Sequence, residues 1–156
     1  MQSNRMLVLL GLSGLLGCAT SGLPPGKEYT VPLTPGAETP PCDAAGPTAS
    51  GSATIVVAAD DKSITATVSY GGLNGDPVAA HIHSGPAGSP GPVVLPFSGT
   101  LTSPFAKTFT AADYVVAPGA PPDFPAFVTA LKAGNAAYVN VHTAACKPGA
   151  IRGEIQ

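Results

Sequence analysis

Three histidines are the residues of this chain best suited to chemistry, and they fall in two short blocks, His81-Ile82-His83 and Tyr138-Val139-Asn140-Val141-His142. Neutral imidazole is a ligand for copper, zinc, nickel and iron, and an H-x-H pair on a strand presents two ring nitrogens to one side. Residues two apart on a strand share a face, so His81 and His83 stand together while Ile82 faces the other way. The same alternation separates Val139 and Val141 from Tyr138, Asn140 and His142. If the two strands are neighbours, three imidazoles converge. Near the C-terminus Arg152 and Glu154 share one face opposite Ile151, Gly153 and Ile155. They are candidates to support the cluster, as are Asn140 and Tyr138, and Glu154 or Asn140 is a candidate additional ligand. A strand histidine also serves simply to bond a backbone carbonyl or to pack on a tyrosine, and that bland role is the alternative. No Ser/His/Asp order, paired acids or phosphate loop stands out, so no catalytic residue is assigned.

The elements that must position these residues have a period of two. Ser52–Ala58 and Ser63–Tyr70 flank the turn-like Asp60-Asp61-Lys62 and read as a hairpin. Val78–His83 is the next strand, followed by the Gly/Pro-rich turn Ser84–Gly91. Val93–Phe97 resumes the pattern as an edge strand because of Pro92 and Pro96. Phe105–Phe109, Tyr138–Thr143 and Ile151–Ile155 complete the strands. Thr110 with Asp113 resembles a capping box. Asp123 caps a helix whose one face is Phe124, Phe127, Val128 and Leu131, with Gly134 as its stop. The expected fold is all-β, a Greek-key sandwich or barrel with one or two short helices in a late connection.

Charged residues are 10% of the chain and the formal net charge is -2. That balance does not favour nucleic acid, which selects clustered Lys and Arg. Arg5 followed by the apolar run Met6–Leu16 reads as a signal peptide over residues 1–17, too short for a bilayer-spanning helix. Leu15-Leu16-Gly17-Cys18 matches a lipoprotein cleavage site, in which Cys18 carries the lipid and becomes the new N-terminus. Ala19 after it favours the outer membrane, with the domain facing the periplasm or the cell surface. Residues 18–41 read as the lipidated N-terminus and a Pro/Gly/Ser/Thr-rich tether, and 42–156 as the domain. With Cys18 assigned to lipid, Cys42 and Cys146 remain in an oxidising compartment. A disulfide is the favoured pairing, worth on the order of 4–5 kcal/mol for a loop of about 100 residues. Two free thiols or thiolate metal ligands are the alternatives.

The blocks Ala80–Gly88, Gly91–Val94, Gly134-Asn135, Tyr138–Thr143 and Pro148–Ile155, in this order, resemble the CHRD domain, a module named after chordin and widespread in bacterial secreted proteins. The resemblance runs from about Ser50 to Gln156. Two departures are Ala150, where the family usually has a glutamate, and the proline-rich stretch Ala111–Pro125. The resemblance implies an extracytoplasmic β-sandwich, similar in outline to Cu/Zn superoxide dismutase. By that likeness His81 and His83 correspond to copper ligands and His142 to a third. Dismutase activity does not follow, since those enzymes use four histidines around copper and this chain has three in total. The expected function is therefore an exported, lipid-anchored protein that binds a transition metal, copper first and zinc second, through His81, His83 and His142. A non-catalytic structural or interaction module without metal is the alternative, with the 84–91 loop and residues 115–125 as contact surfaces. A superoxide dismutase-like oxidoreductase is the third reading. Metal binding through ordinary imidazoles is expected to weaken below about pH 6.5.

Overall fold

The computed structural model describes residues 26–134 and 137–156. Among these residues, eight strands form two antiparallel four-stranded sheets. The first contains β1 (Lys27–Leu33), β2 (Ser50–Val57), β3 (Ile64–Gly71) and β6 (Phe105–Phe109), in the order β1-β2-β3-β6. The second contains β4 (Pro77–Ser84), β5 (Val93–Pro96), β7 (Ala137–Thr143) and β8 (Ile151–Ile155), in the order β5-β4-β7-β8. The chain leaves the first sheet after β3, returns for β6 and leaves again for β7. Consequently β3 pairs with β6 and β4 with β7, both across intervening strands, which is Greek-key connectivity.

Alternation explains why these segments are strands. In β2 and β3, Ala53, Ile55, Val57, Ile64, Ala66 and Val68 are fully buried, while Ser52 and Thr67 on the other face are exposed. The turn between them is the expected one. Asp61 adopts φ +58, and the Asp60 carboxylate accepts a hydrogen bond from the Lys62 amide at 3.1 Å. The second sheet turns Ala80, Ile82, Val139, Val141, Ile151 and Ile155 towards the same core. Helix α1 (Phe124–Lys132) covers one end, with Phe124, Phe127, Val128 and Leu131 buried and the Asp123 side chain capping the Ala126 amide at 2.8 Å. Gly134 ends the turn at φ +77, a conformation that favours glycine. The Thr110–Asp113 capping box is present, but it heads a single 3-10 turn, Ala111–Asp113.

The tether expected over 18–41 is corrected by β1 and the 3-10 turn Pro35–Ala37. Tyr29, Val31 and Leu33 alternate into the core, and Pro32 between them faces outwards. The Pro-rich composition masked this short period-two run. The folded chain therefore includes residues well before 42. β1 also closes one open side of the sandwich: Thr34 and Arg152 exchange backbone hydrogen bonds of 2.9 and 3.0 Å. Gly153 permits that approach, because a Cβ there would lie 2.2 Å from the Pro32 carbonyl oxygen. The expected signal peptide and Cys18 lie outside the described residues.

Cys42 and Cys146 form a disulfide, with Cα atoms 5.9 Å apart across a sequence separation of 104. The free-thiol and thiolate-ligand alternatives are thereby removed. The bridge fastens the β7–β8 loop to the segment that leads into β2.

Candidate metal centre

Strands β4 and β7 are hydrogen-bonded neighbours, with His81 opposite Asn140, His83 opposite Tyr138 and Ala79 opposite His142. The condition for convergence is met. One ring nitrogen from each of His81, His83 and His142 lies within 4.8 Å of the others. Two nitrogens that each bond one ion at about 2 Å lie at most about 4 Å apart, so the widest pair must close by several tenths of an ångström to share it. Among the described residues, no cysteine, aspartate or glutamate joins this set of ligand atoms.

The face that carries them is not open to water. Every residue of β7 is buried, and His83 and His142 are each only 8% exposed, with His81 more accessible. The Ser84–Gly91 turn and the β7–β8 loop fold over the face and supply backbone carbonyls. His83 Nδ1 lies 2.8 Å from the Gly91 carbonyl oxygen, and His142 Nδ1 lies 2.8 Å from that of Lys147. Carbonyls only accept, so these contacts put the proton of each neutral ring on Nδ1 and leave Nε2 as a lone pair. Both Nε2 atoms point to Asn140 Oδ1, at 3.1 Å for His83 and 3.0 Å for His142. His81 Nδ1 lies 3.0 Å from His142 Nε2 and can donate to it.

His83 is left with a conflict. It sits between two acceptors, the Gly91 carbonyl and Asn140 Oδ1, and a neutral ring has only one proton to offer. Full protonation would satisfy both, but burial pushes the His83 pKa down, aided by the positive charges of neighbouring groups. Burial likewise lowers His142, and it lowers His81 to about 4, where the other two imidazoles add to the effect. Two neutral rings, His83 and His142, and an amide oxygen thus direct lone pairs into one small volume, where His81 Nδ1 donates to His142 and would have to give up that proton to bind an ion. A cation in that volume would remove the conflict, and so would the Asn140 amide turned over, with Nδ2 donating to both rings.

Tyr138 and Arg152, expected as supporting residues, are built into a layer beside the cluster. The Tyr138 ring stacks on His83 with centroids 4.5 Å apart and planes 8° apart, and the Arg152 guanidinium lies 3.4 Å from the Tyr138 centroid. Arg152 is 1% exposed. It bonds the Ser89 carbonyl at 2.9 Å and pairs with Glu154 at 2.8 Å. The Tyr138 hydroxyl accepts from the Gly91 amide at 3.0 Å. These bonds fix the turn whose carbonyl orients His83. Glu154, considered above as a carboxylate ligand, spends one oxygen on Arg152 and on the Gly88 amide at 3.2 Å. It is a support and stands outside the converging group.

Glu38 was placed in the tether by composition and belongs here instead. It is 5% exposed, packs against Gly149 in the β7–β8 loop, and its Oε1 has no hydrogen-bond partner among the described residues. Burial pushes its carboxyl up to about 7, against the opposing pull of Arg152. Nothing in the local sequence separates Glu38 from a solvated tether acid. The orienting carbonyls of Gly91 and Lys147 also escape a reading of side-chain types, because any residue supplies a carbonyl.

The family profile of the CHRD domain matches residues 29–155. No curated protein and no solved structure matches the chain.

Proposed function

This chain belongs to the CHRD domain family, and we propose that its function is to bind a transition-metal ion, copper first, at His81, His83 and His142. The observation that carries the reading is the set of hydrogen bonds behind the rings. The Gly91 and Lys147 carbonyls hold His83 and His142 with Nε2 unprotonated and directed inwards. Imidazole donors suit copper and zinc, and copper leads the divalent first-row series in affinity for such nitrogen sites. The geometry favours binding over catalysis, since among the described residues no cysteine, aspartate or glutamate converges on the cluster with the three histidines.

The protein acts outside the cytoplasm, anchored through Cys18 in the outer membrane. The Leu15-Leu16-Gly17-Cys18 site supports this reading, and so does the Cys42–Cys146 disulfide, which fits an oxidising compartment. A Cys18→Ser variant is expected to lose membrane association on fractionation. A variant still sedimenting fully with the outer membrane would end the lipid-anchor reading.

Elemental analysis after copper loading and desalting tests the metal function. The intact protein is expected to retain one equivalent and the His81→Ala/His83→Ala/His142→Ala variant none. Full copper stoichiometry in the triple variant would show that the cluster is not the site. A metal-free interaction module is favoured instead if the wild-type protein retains no copper and its melting temperature is unchanged by the ion.

A further inference from the structure

The β7–β8 loop, residues 144–149, turns two carbonyls towards the cluster. That of Lys147 accepts from His142 Nδ1 at 2.8 Å, and that of Pro148 accepts from Asn140 Nδ2 at 3.5 Å. The first keeps His142 Nε2 free of a proton. The second favours the amide orientation that presents Asn140 Oδ1 to His83 and His142. Turned over, the amide would set its oxygen against the Pro148 carbonyl. Both carbonyls belong to exposed residues of a short loop whose hydrogen bonds run mostly within residues 140–150.

What fixes this loop comes from the segment after β1. Of residues 144–149 only Cys146 and Gly149 are buried, and each meets that segment. Cys146, wholly buried, is bonded to Cys42. Gly149 lies under the Glu38 carboxyl, which leaves no room for a Cβ, and its φ of +150 favours glycine. Lys147 and Pro148 are the two residues between these points. The segment itself is anchored where Thr34 and Arg152 exchange backbone hydrogen bonds, and where Thr39 Oγ1 donates to the Gly88 carbonyl at 3.3 Å. Fixed points on both sides leave the intervening carbonyls little freedom, and an acceptor held in one place sets the tautomer and orientation of the ring it meets.

Resting on the metal reading above, we propose that the Cys42–Cys146 bridge and Glu38 are positioning residues for the metal site. They hold the 144–149 loop where its Lys147 and Pro148 carbonyls keep His142 and Asn140 in the ion-accepting arrangement. With the loop released, His142 can carry its proton on Nε2, or Asn140 can turn over and donate Nδ2 to both rings. Either change lets the pocket satisfy itself without an ion. The ion then binds only the fraction of molecules still in the accepting arrangement, and the apparent affinity falls by that fraction. His83 is oriented from the other loop, by the Gly91 carbonyl, and keeps its tautomer.

The test is Cys42→Ser/Cys146→Ser in the full chain, which opens the bridge and leaves neither of its thiols to bind metal. In metal-free wild-type protein the His83 and His142 Nδ1–H protons are expected as separate, slowly exchanging resonances in nitrogen-15 NMR. The open variant is expected to lose that of His142 and keep that of His83. Its affinity for Zn(II) and Cu(II), read by competition with a chromophoric chelator, is expected to fall by about tenfold to a hundredfold. Glu38→Ala, with the bridge intact, is expected to weaken binding by about threefold. Retention of both the His142 resonance and the affinity in the folded open variant, or in Glu38→Ala where the open variant does not fold, overturns the positioning role and leaves the metal site standing. Loss of both ring resonances together also overturns it, since the bridge would then serve overall stability alone. Wild-type protein that binds neither ion removes the metal reading and the positioning role with it.

Discussion

The two sheets share a core and differ in what covers their outer faces. On the first, Ser52 and Thr67 face solvent, and the Thr65 and Thr108 hydroxyls bond each other at 2.9 Å across β3 and β6. On the second, His83, Tyr138, Asn140, His142 and Arg152 occupy the equivalent outward positions and are buried by two loops. The inner faces hardly differ: alternating Val, Ile and Ala in both. A polar face left in water satisfies itself, whereas a covered one must find a partner for every donor and acceptor. The loops meet most of that demand through Gly91, Lys147 and Ser89. Among the described residues, the buried side-chain atoms they leave without a partner are Glu38 Oε1 and Glu154 Oε2, while at His83 and Asn140 two acceptors meet face to face.

The sharpest way to break this contrast is to remove a buried charge from the covered face. Arg152→Leu strands Glu154 and frees the Ser84–Gly91 turn, and is expected to cost about 3–5 kcal/mol in urea unfolding. A loss below about 1 kcal/mol would show that Arg152 is dispensable to the layer.

Glu38 gives the next largest effect. Its carboxyl is raised from 4.5 to about 7 in the fold, so the folded state binds the proton more tightly than the unfolded chain. The resulting stabilisation is complete below pH 4.5 and disappears as the pH rises through about 7; a shift of that size corresponds to roughly 3 kcal/mol. Glu38→Gln should therefore flatten the decline in stability between pH 5 and pH 8. An unchanged decline would assign it to other groups.

The histidines act in the opposite direction, and this sharpens the comparison by NMR. In metal-free protein the His81 ring is expected to titrate near pH 4, with His83 and His142 also below their usual 6.5. Their neutral forms are favoured in the fold, so stability falls as pH drops from 6.5 towards 4. With these lower values, loss of ligand capacity is expected at a lower pH than the 6.5 of ordinary imidazoles. Titration of all three rings near 6.5 would mean that the covered face is in fact wet.

The smallest expected effect belongs to the open face. Thr67→Ala on β3 should change stability by no more than about 0.5 kcal/mol. A larger loss would mean that the two outer faces are less different than their burial indicates.

Much of this was legible in the chain itself. Period-two alternation is a local property, so β2, β3, β4, β7 and β8 could be placed to within a few residues, and the Asp123 cap marked α1 for the same reason. The sharing of a face by His81 and His83, and by Tyr138, Asn140 and His142, follows from pleating alone. Local sequence misread β1 because Pro32 and its Pro-rich surroundings hid Tyr29, Val31 and Leu33, and with β1 it misassigned Glu38. Pairing, cover and protonation were decided by tertiary structure. Only the β4–β7 register brings His142 to His81, and only the folded loops bring the Gly91 and Lys147 carbonyls to the rings. Alternation fixes which way a side chain points relative to its neighbours in the chain. Whether that direction leads to water or to an acceptor from a distant loop depends on contacts between segments far apart in sequence, and burial then sets the state of the ring.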